Sequence, residues 1–377
     1  MPWKPSDTMH LRSEFIMLAL QRQQSFSLLC ERFNISRKTG YKWLARHQAN
    51  QPVSLENQSR RPHHSPRCTL EPQVQQVIAL RQQHPAWGGR KIFHRLSALG
   101  LTSLPAPSTI TDILHRHGLI TPAASEQAQP WQRFEHEQPN ALWQIDFKGH
   151  FETASARCHP LTLLDDHSRF NLTLTACAQP DTDTVKNALT GVFERYGLPA
   201  RINADNGPPW GSPSASHHGL TALTVWLIRL GIGISHSRPY HPQTNGKDER
   251  FHRTLNAEVL RGRVFPNLRH TQNAFDHWRQ VYNEQRPHEA LGFAVPISRY
   301  QPSLCAMPAT LPEITYREHD HVVTVGWDGA VKFANKKYKV SNALHRLPIA
   351  LRADTTQEGV YDLFFCQQRF GCIDLRE

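Results

Sequence analysis

Apolar positions near the start of the chain recur at helical spacing. Phe15, Leu18 and Ala19 form one such set, and Leu28, Leu29 and Phe33 continue it, with Arg32 at the same helical spacing. A short Asn34-Ile35-Ser36 turn follows, and Ser36 is placed to cap the stretch SRKTGYKWLARH. In that stretch Trp43 and Leu44 face inward, while Arg37, Lys38, Thr39 and Lys42 face outward. Two short helices about a tight turn, the second basic, predict a helix-turn-helix over residues 1–47, with those four residues as DNA contacts. A plain αα-hairpin shares the spacing, and the basic outer face favours the DNA-binding form.

Residues 48–66 have no apolar period and read as a basic linker. A second all-α module spans 67–120, with helices in VQQVIALRQQHP, in GGRKIFHRLSALG and in PSTITDILHRHGLI, the last capped by Ser108. Three helices with LTSLPAP before the third resemble a winged helix-turn-helix. A polar linker follows at 121–139. From residue 140 to 302 strands alternate with helices. WQIDF (143–147) sets Trp143, Ile145 and Phe147 on one face and Gln144 and Asp146 on the other. Strands at 161–166 and 170–177, a helix at 181–196, a strand at 200–205, a helix at 219–230 and a strand at 233–237 come next. A helix opening at Gly246 and a long one over 267–283 complete an α/β domain with a mixed sheet. A Pro-rich linker at 303–315 leads to a small all-β domain at 316–377, with strand-like HVVTVGW, AVKFANKKYKV, LPIALRA and VYDLFFC.

Charge sharpens this picture. The 377 residues carry a net charge of +11, and residues 1–139 hold 17 Lys and Arg against 9 Asp and Glu. A basic front end on a globular chain points to a polyanion, and DNA or RNA is the partner it predicts. No apolar run is long enough to span a membrane, and no secretory leader is visible. Seven scattered cysteines without a CxxC predict reduced thiols in a cytoplasmic protein.

Phosphoryl transfer with two divalent metals needs carboxylates drawn from separate chain segments. Asp146 ends one strand and Asp205 another, the latter before an Asn206-Gly207-Pro208-Pro209 turn. If those strands are parallel neighbours, both carboxylates face one spot. In GKDERFHRTL, Phe251, Leu255 and Val259 share an apolar stripe, and Asp248 falls within about 20° of Leu255, where it steadies the helix end. Glu249 lies on a polar stripe with Arg253 and Asn256, and with His252 at its edge. That makes Glu249 the working residue of the pair, although on this stretch alone a solvated Glu249–Arg253 pair fits equally well.

LWQIDFKG, LTLLDDHSRF, YGLPARINADNGPPWG, HSRPYHPQTNGKDERFHRTL, FDHWRQVYNEQRPHEAL and PISRY together resemble the integrase-core DDE transposases of bacterial insertion sequences, in the group encoded by a single reading frame. The resemblance implies an RNase H-like core between the helix-turn-helix modules and the β domain, with a catalytic and metal-binding triad of Asp146, Asp205 and Glu249. It implies two Mg²⁺ (or Mn²⁺) ions per site. It also implies cleavage that frees 3′ ends of the element and joining of those ends to other DNA. The partners implied are double-stranded DNA, at terminal inverted repeats and target, and a homodimer or larger assembly on it, in the bacterial cytoplasm at the nucleoid. Lys247, Arg250 and Arg253 are candidate DNA contacts, and His241 and His252 candidate proton shuttles. Asp165 and Asp166 read as structural. The interval from Asp205 to Glu249 is longer than the superfamily's usual one, and the loop at 208–219 accounts for it. Asn245 stands where the family's commoner version has Gln. The alternative is a non-catalytic regulator or decayed transposase that binds element ends.

Overall fold

The computed structural model describes residues 8–49, 55, 57, 69–120, 135–211, 219–236 and 246–376. Most of both N-terminal linkers, most of the loop at 208–219, His241 and Asn245 lie outside the described residues. The chain divides into two compact units, residues 1–68 and 69–377.

The first unit is three helices, α1 (Thr8–Gln21), α2 (Phe26–Arg32) and α3 (Arg37–Ala49). They close on Phe15, Ile16, Leu29, Cys30 and Trp43. Asn34 takes a left-handed conformation in the turn before α3. Ser36 caps α3 as expected, its hydroxyl accepting the Thr39 backbone N–H at 3.2 Å. Gly40 lets α3 approach closely, because a Cβ there would lie 2.8 Å from Cys30 Sγ and 2.9 Å from Phe15 Cζ.

The second unit opens with α4 (Glu71–Gln83), α5 (Gly89–Ala98) and α6 (Pro107–Arg116). Val77, Trp87, Ile92, Ile110, Ile113 and Leu114 form their core. Two expectations fail here. Pro107, not Ser108, opens α6, with Ala106 at the cap position and no side-chain cap. Proline's fixed φ suits the first helical position, so the helix starts one residue before the serine could cap it. No strand forms within 69–120, so the described residues of the module hold three helices and no wing.

The α/β core follows, with β1 (Trp143–Phe147), β2 (Phe151–Glu152), β3 (Arg157–Asp165) and β4 (Asn171–Cys177). Then come α7 (Thr182–Tyr196), β5 (Arg201–Ala204), α8 (Ala222–Arg229), β6 (Gly233–His236), α9 (Gly246–Leu255) and α10 (Leu268–Glu284). The sheet is mixed: β3 is antiparallel to β1, β2 and β4, while β5 runs parallel to both β1 and β6. One face, through Trp143, Ile145, Leu161 and Leu163, buries Leu189 and Phe193 of α7. The other, through Leu164 and Leu174, buries Phe251 and Leu255 of α9 and Phe275 and Trp278 of α10. A single π turn, Asn256–Leu260, ends α9.

The C-terminal domain is all β. A four-stranded sheet holds β7 (His321–Thr324), β10 (Pro348–Ala353), β11 (Val360–Phe365) and β12 (Gln368–Asp374), and β8 (Ala330–Phe333) with β9 (Lys336–Lys339) form a hairpin. Its core takes in Leu220, Val225 and Ile228 on and before α8. The Gln368 side chain accepts the Ile234 backbone N–H at 3.3 Å, so the domain covers part of the open edge at β6. The chain is thus multidomain, with helix-turn-helix modules, a central α/β core and a small all-β domain. No helix among the described residues is long and apolar enough to cross a membrane.

Candidate functional site

The parallel pairing of β1 and β5 sets the site. Trp143 stands opposite Ile202, and Gln144 opposite Asn203. Continued by the same steps, Asp146 and Asp205 leave the C-terminal ends of adjacent strands together. The neighbouring parallel strands required for two converging aspartates are therefore present. Asp205 falls just after β5, and the Gly207 N–H donates to its Oδ1 at 3.2 Å. His236, at the end of β6, hydrogen-bonds the Asp205 carbonyl at 2.8 Å through Nδ1.

Asp146 is fixed from behind. The Thr162 hydroxyl donates to the Asp146 carbonyl at 3.0 Å, and His252 Nε2 lies 2.9 Å from that same hydroxyl. Since the hydroxyl's one proton goes to Asp146, the imidazole donates from Nε2. Its bare Nδ1 then faces Asp146 Oδ2 at 4.0 Å. Burial, aided by the Lys148 charge, pushes His252 down to about 4, so the ring is neutral at ordinary pH and gives Asp146 no counter-charge. Asp146 itself is pushed up to about 7, by burial first, then by the negative charge of Asp205, and also by that of Glu249. Burial likewise raises Asp205, against the Gly207 hydrogen bond and His236. The charges of Asp205 and Glu249 thus both reach Asp146.

Helix α9 presents its two acids differently. Phe251, Leu255 and Val259 are buried as the apolar stripe requires, and Asp248 is buried beside them. Both Asp248 carboxylate oxygens lack a hydrogen bond, and burial, with Asp146 and Asp166 nearby, raises its pKa well above the usual carboxylate range. A role in steadying the helix end is not what this environment offers. Glu249 is exposed, and its side chain makes no hydrogen bond or ion pair with a described residue. Among the described residues no three His, Cys, Asp or Glu side chains lie close enough to form a ready metal cluster.

The other expected contacts separate. Lys247 turns inward to an ion pair with the buried Asp166 and donates to the Asp166 carbonyl at 3.2 Å. Arg250 and Arg253 are exposed. Asp165 and Asp166 are structural in their contacts. Asp165 accepts the Ser168 hydroxyl at 2.5 Å and the Asn140 N–H at 2.8 Å, and Asp166 accepts Gln144 Nε2 at 2.7 Å. In the first unit Arg37, Lys38 and Lys42 share the exposed face of α3, whereas Thr39 is half-buried with its hydroxyl 2.9 Å from Ser36 Oγ. Tyr41, missed from sequence, lies on that same face and stacks on Phe26 at 4.2 Å. Its spacing of four from Arg37 was the available signal.

This fold and site define the class. Residues 136–242 and 230–296 match two integrase core domain families, residues 12–63 a helix-turn-helix domain and 39–114 a homeodomain-like domain. Residues 136–296 thus match integrase core domains, and helix-turn-helix matches precede them in sequence. The chain is similar to the insertion element IS407 uncharacterized 31.7 kDa protein of Burkholderia multivorans, 29% identical over 42% of this chain and 54% of that one. The insertion element IS476 uncharacterized 39.2 kDa protein of Xanthomonas euvesicatoria is 27% identical over 41% of this chain and 42% of that protein. The chain spans about half the length of these curated relatives. A solved simian T-cell lymphotropic virus intasome chain aligns over 79% of this chain and 99% of its own, at 17% identity and a TM-score of 0.36. The matched stretches are thus similar to integrase cores and to proteins of bacterial insertion elements.

Proposed function

We propose that this protein is a DNA strand transferase of a mobile element. It binds the element's ends, hydrolyses a phosphodiester to free each 3′ end, and joins that end to another DNA strand. The observation that carries this reading is the placement of Asp146 and Asp205 at the ends of adjacent parallel strands, with Asp146 held near 7 by burial and by the charges of Asp205 and Glu249. Asp146 feels the negative charge of both Asp205 and Glu249, a setting that suits a divalent metal, and carboxylate oxygens favour Mg²⁺ or Mn²⁺. Asp146, Asp205 and Glu249 would hold the two ions of this chemistry, which stabilise the attacking and leaving oxygens of an in-line displacement.

The chain's own residues supply orientation. Thr162 and His252 fix the backbone and flank the carboxylate of Asp146, and the Gly207 N–H fixes Asp205. The exposed Arg37, Lys38 and Lys42 of α3 bring positive charge to phosphates of the duplex. Two ends must meet for joining, so the working form is a homodimer or larger assembly on DNA, at the nucleoid in the bacterial cytoplasm.

The test incubates purified protein with Mg²⁺ and labelled DNA spanning the gene's own flanks, beside an Asp205→Asn control. Strand-specific 3′-end cleavage and joined products, absent from the control, are expected. Bound but uncut DNA with both proteins would refute strand transfer and leave a DNA-binding regulator.

A further inference from the structure

The module α4–α6 sits on the core through α5. Arg90 pairs with Glu289 at 2.9 Å, Arg95 donates to the Gln285 side chain at 3.2 Å, and the His94 ring lies flat on Phe293 with centroids 4.1 Å apart. Val281 of α10 belongs to the module's own apolar core. Lys91 stands within this seam and differs from its neighbours. Although half-buried, its ammonium makes no hydrogen bond or ion pair with a described residue.

The charged groups that act on Lys91 are Arg286, Glu258, Arg250 and Glu289. Both acids are already engaged. Glu258 accepts Arg286 Nε at 2.9 Å and Trp278 Nε1 at 2.9 Å, and Glu289 accepts Arg90. Five cations (Arg90, Lys91, Arg95, Arg250 and Arg286) therefore stand at the seam with two carboxylates; Arg95 is held by the Gln285 amide, and Lys91 and Arg250 hold the surplus. The crowding is visible in the lysine, which burial first, then Arg286 and Arg250, push down to about 8. Arg250 is exposed on α9, next in chain to Glu249. A long apolar side chain in place of Lys91 would fill the seam at lower cost, since an unpaired charge is penalised by burial. Retention of the ammonium calls for an anion that arrives from outside.

We propose that Lys91 and Arg250 form a binding site for DNA backbone phosphates, at the seam between the second helical module and α9, which leads the strand to Glu249. The proposal rests on the strand-transferase reading. The anion's class follows from position: the surplus is divided between Lys91 on α5 and Arg250 on α9, the residue after Glu249, and two separated cations suit successive phosphodiesters better than a single small anion.

The test measures binding of a duplex carrying the element's end to the full-length protein across a range of salt. Lys91→Met keeps the apolar stem and removes the charge. Its expected results are a Tm equal to or above wild type, affinity about 5- to 20-fold weaker, and a log–log salt slope shallower by about 0.9, one phosphate contact. Lys91→Arg should restore affinity and slope, and Arg250→Met should weaken binding in the same way. Wild-type affinity and slope in Lys91→Met would overturn the proposal, as would a weakened Lys91→Met whose Tm also falls and which Lys91→Arg does not rescue. Joining of DNA by wild type alongside normal binding by Lys91→Met would remove this site and leave strand transfer standing. The reverse pattern, weaker binding by Lys91→Met and no joining by wild type, would keep the site and refute strand transfer. Failure of wild type to bind DNA would overturn both.

Discussion

Removal of the Glu258 carboxylate offers a sharp test of how α9 is anchored. Glu258 lies in the π turn that ends α9, and its side chain and that of Arg286 are each 9% exposed. One carboxylate oxygen takes Arg286 Nε and the other Trp278 Nε1, both at 2.9 Å. Glu258→Ala leaves a guanidinium enclosed without its counter-charge, which costs about 3–5 kcal/mol. The bared indole N–H adds about 1 kcal/mol. Against a domain stability of roughly 5–15 kcal/mol, such a loss lies well within reach of urea unfolding followed by far-UV circular dichroism. The paired replacement Glu258→Met with Arg286→Met should recover most of it, because removal of both charges is often neutral. A Glu258→Ala cost below about 1 kcal/mol, the upper end for an exposed pair, would refute the reasoning. So would a double variant as unstable as the two single losses added together.

Three further outcomes follow from particular contacts. Asp146 has a folded pKa of about 7 against 3.8 for the free group, so between those values the folded state binds the extra proton and metal-free stability falls as pH rises. Asp146→Asn should flatten that part of a Tm-against-pH profile and raise Tm at pH above 7; an unchanged slope would contradict the shift. Gly40→Ala would drive a Cβ to within 3.0 Å of Cys30, Phe15 and Phe26 atoms, at an overpacking cost of about 1–3 kcal/mol. Limited proteolysis should then cut within residues 8–49 faster, and wild-type resistance there would show that the helices give way easily. Ending the chain at residue 315 would bare Leu220, Val225 and Ile228, which the β domain covers. Increased binding of a hydrophobic dye and loss of solubility are expected, whereas a soluble, dye-silent truncation would mean the core stands without that cover.

What was legible in the chain divides by the range of the information. Strand alternation put Trp143 and Ile145 on the buried face and Asp146 on the other, and helical spacing put Phe251, Leu255 and Asp248 on one stripe. These are properties of short segments, and the structure has them. Where two local rules competed, as Pro107 and Ser108 did, the proline's fixed backbone angle prevailed over a side-chain cap. The strand β12 was missed because Gln368, Arg369 and Gly371 interrupt its apolar pattern, and pairing with β11 supplies what its own sequence lacks.

Partners across the fold were the harder matter. Lys247 drew attention because it sits in the motif, yet its charge is held by Asp166, 81 residues away. Lys91 drew none, since GGRKIF reads as an ordinary basic helix. Its setting is made by α9, α10 and the turn after α10, all of them more than 150 residues further on. Both are lysines with similar local surroundings in sequence. The contacts argue that the motif lysine stabilises the protein and that the unremarked one is left for DNA. The two substitutions should therefore behave in opposite ways: Lys247→Met should lower Tm, by stranding the buried Asp166 carboxylate, and Lys91→Met should not. Equal losses of Tm would mean that the missing partner of Lys91 does not distinguish it, and the phosphate site at the seam would lose its main support.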